Sequence, residues 1–228
     1  MMHTEASFAQ TAGSAKKHTL CMGITGGVGC GKSAVMDHLS RTTDCRIIIS
    51  DDEAKKLYTQ DSPIFGKIIE AAGEDITDGA GELDRKKLAA RLFERKGLRE
   101  EINAIVHPAV MDLIDRAIET ERESGRHDFL FVEAALLIEC GYDRKLDELW
   151  YVYASEEVRR RRLKENRGYS DEKTAAMMRA QLDEAGYREH CIRVIDNNGS
   201  IEDMRKSADE AVREALGRYG ITEGKNSK

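Results

Sequence analysis

Residues 22–35 read MGITGGVGCGKSAV, with Gly26, Gly27, Gly29 and Gly31 followed at once by Lys32 and Ser33. Glycine weakens ordinary helices and strands, so this density marks a backbone with an unusual task. The spacing Gly26-x-x-x-x-Gly31-Lys32-Ser33 is that of a phosphate cradle. Successive main-chain N–H groups turn inward on an anion, and side chains would obstruct that approach. A helix opening at Lys32, through Ala34, would add free N–H groups and a positive dipole end. The Lys32 ammonium can reach the outer phosphates, and the Ser33 hydroxyl can ligate Mg²⁺. A purely structural glycine-rich turn is the competing reading. Cys30 contributes its backbone N–H to the loop, and its thiol, beside positive groups, is expected to be oxidisable.

Three more clusters have the right chemistry for moving a phosphoryl group. The segment IIISDDEAKK, 47–56, ends an apolar run with Ser50, Asp51 and Asp52. A hydroxyl acceptor needs a carboxylate to orient it and take its proton. Helix capping competes, because Ser and Asp favour that position. The segment VRRRRLKENRGYS, 158–170, supplies cations that suit a lid over phosphates, or a solvated helix face. Four consecutive helical residues spread over about 300° of the circumference, so one or two of Arg159 to Arg162 can meet one phosphate. Arg167 precedes Gly168 at a helix end and is free to point elsewhere. Glu133 ends the run FLFVE and is either part of a Mg²⁺ water shell or a strand-end acid.

The elements that must hold these groups alternate. TLCMGIT (19–25), CRIIIS (45–50), DFLFVEAALL (128–137), ELWYVYA (148–154) and IRVID (192–196) are strand candidates, nearly continuous in apolar residues. Runs of that kind are covered on both faces. Helical patterns lie between them, at 32–41, 52–58 and, longest, 84–123. In the last, Val106, Val110, Ile114 and Ile118 recur every four residues. Pro108 after His107 suits a first helical turn. Alternation of this kind predicts an α/β fold, a parallel five-stranded sheet with helices on both faces. The gap between the second and third strands exceeds one crossover. It predicts a helical insert, on the same side of the sheet as the glycine loop. Trp150 and Tyr151 read as core. His18, His38, His127 and His190 lack acids or cysteines at ligand spacing and read as surface or packing residues.

Composition narrows the classes. The chain has 228 residues and a net charge of −6, which gives no broad attraction to nucleic acid. Its 5 cysteines are scattered outside metal spacings, as expected of reduced thiols in the cytoplasm. Neither a signal peptide nor a membrane span is expected. A guanine-reading NKxD segment is missing, and DGAG, 78–81, follows no strand. A small kinase fits best.

Taken in order, GITGGVGCGKSAV, IIISDDEA, ELDRKKLAARLF, IVHP, EAALLIE, the arginine segment and VIDNNGS resemble the dephospho-CoA kinase family over roughly residues 20–215. The resemblance implies a P-loop kinase core at 18–59 and 126–220, with a lid at about 155–187. It also implies a helical acceptor-binding insert at 60–125. Residues 1–17 and 221–228 read by themselves as disordered tails. The implied reaction, the last step of coenzyme A biosynthesis, moves the ATP γ-phosphate to the ribose 3′-hydroxyl of dephospho-coenzyme A, with Mg²⁺. The small-molecule substrate is the expected partner, with no nucleic acid, membrane or protein partner. Carried over, Asp52 addresses the 3′-hydroxyl, Arg162 and Arg167 match the paired lid arginines, and Asn197 and Asn198 lie where the family holds adenine. Ser50 stands where the family has a first aspartate, and Ala135 where a proline is common. The alternatives are another small-molecule kinase, for a nucleoside, nucleotide or sugar acid, and an ATP-binding switch without efficient transfer. A nucleic-acid-binding module is a third.

Overall fold

The five apolar runs pair as one parallel sheet in the order β2-β3-β1-β4-β5. They are β1 (Leu20–Thr25), β2 (Cys45–Ile49), β3 (Phe129–Glu133), β4 (Glu148–Tyr153) and β5 (Arg193–Asp196). This computed structural model describes residues 18–221, so the expected tails lie outside the described residues except for Ile221. Ile221 itself packs against the core, and its N–H donates to the Leu216 carbonyl at 2.9 Å.

Helices cover both faces, as continuous apolar strands require. They are α1 (Lys32–Thr42), α2 (Ser50–Lys56), α3 (Phe65–Ala72), α4 (Arg85–Glu94), α5 (Leu98–Ser124), α6 (Glu156–Arg167), α7 (Asp171–Arg179), α8 (Glu184–His190) and α9 (Ile201–Arg218). Alternate residues of β1 point to opposite faces. Leu20, Met22 and Ile24 join Val35 and Leu39 of α1 and Met204 and Ala208 of α9. Cys21 joins Leu130, Val132 and the Val106, Val110, Ile114, Ile118 stripe of α5. The long helix therefore lies on the face opposite α1. Trp150 and Tyr151 are core residues, at 0% and 2% exposure.

Three local expectations change. The helical stretch at 84–123 is two helices, because Gly97 takes a left-handed φ of 89° and breaks the run. Pro108 then sits inside α5 and not in a first turn, so His107 is not a helix-start residue. The third strand stops at Glu133, and the apolar residues after it form a turn closed by Tyr142 N–H on the Leu137 carbonyl at 2.8 Å. Their apolarity serves burial of a turn, since Leu137 is 1% exposed.

The amino-terminal edge of the sheet carries a buried acid. Glu121, 3% exposed, accepts hydrogen bonds from Arg46 at 3.2 Å and His127 Nδ1 at 2.9 Å. Thr19 Oγ1 ties the start of β1 to it by donating to the Glu121 and His127 carbonyls. Burial pushes the Glu121 carboxyl up, but the hydrogen bonds from His127 and Arg46 outweigh it and hold it below its ordinary value. A carboxyl depressed by folding stabilises the protein above its unfolded value of 4.5, and that contribution is lost as pH falls through the folded value. Glu121→Gln is therefore expected to flatten the acid-side fall of the denaturation midpoint, measured by urea titration below pH 4.5.

Candidate functional site

Between β1 and α1 the chain turns through Gly26, Gly29 and Gly31 at φ values of 145°, 81° and 96°. Those angles are costly for residues with a Cβ. Space is equally restrictive: a Cβ on Gly27 would overlap the Arg159 guanidinium, and one on Gly31 would overlap the Asn197 amide. Lys32 folds back over the loop, and its Nζ donates to the Gly26 carbonyl at 2.8 Å. The same ammonium lies 3.6 Å from Glu133 Oε1. Parallel pairing of β1 with β3 sets Glu133 opposite Ile24, which brings that acid to the mouth of the loop. Burial raises the Glu133 carboxyl, Lys32 opposes that, and Asp51 and Asp52 raise it further. Ser33 is exposed in the first turn of α1, and Ala34 donates its N–H to the Gly31 carbonyl at 3.0 Å. The oxidation expected of Cys30 is corrected. The thiol is 1% exposed, and burial raises its pKa, so it stays a neutral packing group.

Residues from the other half of the chain close over this loop. Arg159 Nε donates to the Val28 carbonyl at 2.8 Å. Arg162 donates to the Cys30 carbonyl at 3.3 Å and to the Asn197 carbonyl at 2.9 Å. Arg159 and Arg162 are three apart and share one face of α6, a spacing rule that could have paired them from sequence. Arg167, by contrast, is exposed at the last residue of α6 and is not brought to the loop. Gln181, in the turn between α7 and α8, accepts the Val28 N–H at 2.8 Å. No motif pointed to it. Asn197 is 5% exposed and donates its amide to the Cys30 carbonyl at 2.7 Å. Asn198 accepts the Ser155 N–H at 2.7 Å, tying the end of β5 to the start of α6. The two asparagines thus brace the loop and the start of α6. Asn197→Leu is expected to cost about 0.5–1.5 kcal/mol, since it removes one of two donors from the Cys30 carbonyl. The denaturant midpoint measures this.

Across the mouth stands the first turn of α2. Its N-cap is Ile49, with no side-chain cap bond, so Ser50, Asp51 and Asp52 do not cap the helix. They ride in the first turn, where acids favour the helix dipole. The Asp52 carboxylate is 53% exposed and pairs with Lys55 Nζ at 2.6 Å. Both aspartates act on Glu133, Asp51 the more strongly. Asp51 also lines a cavity of about 270 Å³ between α2, α5 and the turn after β3. Val106, Val110 and Leu137 form apolar walls, and Asn103 and His107 add polar edges. His38, His127 and His190 each pair with a distant carboxylate. Among the described residues no group of three His, Cys, Asp or Glu could hold a metal ion by itself.

A parallel sheet in this order, with a phosphate-cradling loop between its central strand and the next helix, defines a P-loop nucleotide-binding protein of the small-kinase type. The family model for dephospho-CoA kinase matches residues 20–203, and the chain belongs to that family. A dephospho-CoA kinase of Symbiobacterium thermophilum is 36% identical over 201 residues, covering 87% of this chain and 82% of its own. One from Corynebacterium glutamicum is 33% identical over 87% of this chain and 98% of its own. Among solved structures, TT1252 from Thermus thermophilus superposes with a TM-score of 0.68 at 30% identity, covering 88% of this chain and 99% of that one. A dephospho-CoA kinase from Campylobacter jejuni shares the fold at 21% identity, with a TM-score of 0.62 over 88% of this chain and 98% of its own.

Proposed function

We propose that the protein transfers the ATP γ-phosphate to the ribose 3′-hydroxyl of dephospho-coenzyme A, giving coenzyme A and ADP. One observation carries this reading beyond family membership. The Lys32–Glu133 pair, 3.6 Å apart at the loop mouth, faces a helix turn bearing Asp51 and Asp52, with a cavity opening beside it. The main-chain amides of Gly29, Gly31, Lys32 and Ser33, within the loop from Gly29 to Ala34, hold the β and γ phosphates, and Lys32 neutralises charge on the outer oxygens. Asp52 leaves Lys55, aligns the acceptor hydroxyl and takes its proton. The cavity against α5 receives the acceptor, so 60–125 serves as acceptor-binding insert and 155–187 as lid. Arg162 and Arg167 belong to that lid and close over the phosphates. Closure excludes water, a competing acceptor.

Ser33 and Glu133 offer oxygen donors at the end of the phosphate loop, a set that suits Mg²⁺. Held by Ser33 and Glu133, Mg²⁺ would supply positive charge that offsets the charge of the phosphates. Five free, scattered cysteines support a reducing, cytoplasmic setting.

The deciding experiment measures ADP formation with and without dephospho-coenzyme A and weighs the product. Phosphate gain on dephospho-coenzyme A alone is expected. Equal turnover on nucleosides or sugar acids would reassign the acceptor. Tight ATP binding without acceptor-dependent ADP would make the protein a switch.

A further inference from the structure

Val28, at the crown of the glycine loop, is held through both peptide groups that flank its Cα. Its carbonyl accepts Arg159 Nε at 2.8 Å, and its N–H donates to Gln181 Oε1 at 2.8 Å. The two partners come from α6 and from the turn after α7, 131 and 153 residues away in sequence. Val28 is only partly buried, so its N–H would otherwise face water or an incoming phosphate. The Arg159 bond is cation to carbonyl and sits on the helix that carries the lid arginines. The Gln181 bond is neutral and comes from the far end of the same segment.

We infer that Gln181 is a positioning residue, which sets the orientation of the Gly27–Val28 peptide and latches the far end of the lid to the phosphate loop. The inference rests on the reading of this loop as the ATP site. A Gly27–Val28 peptide free to rotate would carry the Gly27 carbonyl away from the Cys30 N–H it accepts at 3.1 Å, and its partial negative charge would then oppose phosphate. Gln181 holds that peptide through its N–H, and Arg159 holds the next one through the Val28 carbonyl, so neither alone fixes both. The latch also couples loop to lid, so its loss opens a route for water to the γ-phosphate.

Gln181→Met keeps length and volume but removes the acceptor. Amide exchange at Val28 in the free protein is expected to accelerate about five- to tenfold, the size of one lost hydrogen bond. KM for ATP is expected to rise by a similar factor, and acceptor-independent ADP formation to rise relative to transfer. Gln181→Glu retains an acceptor for the N–H. It is expected to restore slow exchange, while its negative charge beside the cradle still raises KM. A role in stability alone would lower the melting temperature and leave KM and the hydrolysis ratio at wild-type values, and that result overturns the inference. Unchanged Val28 exchange in Gln181→Met overturns it equally. The exchange measurement needs no substrate, so it tests the latch separately from the assignment of the acceptor.

Discussion

Lys32→Met is expected to lower kcat about 10²–10³-fold, equivalent to about 2.7–4 kcal/mol of lost transition-state stabilisation. The loop itself should survive. Lys32 contributes one bond to it, to the Gly26 carbonyl, while the turn is also set by glycine φ values and by Asn197 beneath it. What disappears is a cation that both crosses the loop and faces Glu133. Without that ammonium, the burial that already raises the Glu133 carboxyl goes unopposed by its nearest cation, and the acid takes up a proton more readily. Single-turnover kinetics at saturating ATP would read the loss directly. Turnover within tenfold of wild type would remove Lys32 from the chemistry.

The second large effect belongs to α2. Asp52→Asn is expected to reduce turnover about 10²–10⁴-fold, as loss of a proton acceptor does, with ATP affinity largely retained. Asp51→Asn is the informative partner. Asp51 lines the cavity, so its replacement should act mainly through KM for the acceptor. A larger fall in kcat for Asp51→Asn than for Asp52→Asn would move the proton-accepting role one residue back. Both variants also lighten the acid load on Glu133, so comparison of their pH–rate profiles checks the coupling.

Much of this arrangement was legible in the chain because it depends on local rules. The glycine loop is a contiguous pattern whose geometry dictates its residues. The five strands announced themselves by near-continuous apolarity, since a parallel sheet is covered twice. What could not be read is what depends on distant packing. Gly97 divided a helical pattern that periodicity alone carried straight through. Pro108 looked like a start signal, yet tertiary burial of Val106 and Val110 on the same helix sustains α5 through it. The family resemblance set Asn197 in a base-holding loop, and no motif announced the bond of its amide to the Cys30 carbonyl. Gln181 carried no signal at all, because a single neutral acceptor in a turn has no spacing to betray it. Arg159 was left within a quartet of arginines, and the facing of α6 brings it, together with Arg162, to the loop.

Arg162 grips two oxygen atoms of its own backbone, those of Cys30 and Asn197. A phosphate that draws this guanidinium away does not meet an idle cation; it trades one set of acceptors for another. Such an exchange tempers the hold on incoming and spent nucleotide alike. If Arg162 acts in the proposed lid, weakening the internal grip is expected to lengthen the dwell time of ADP and make its departure the slow step.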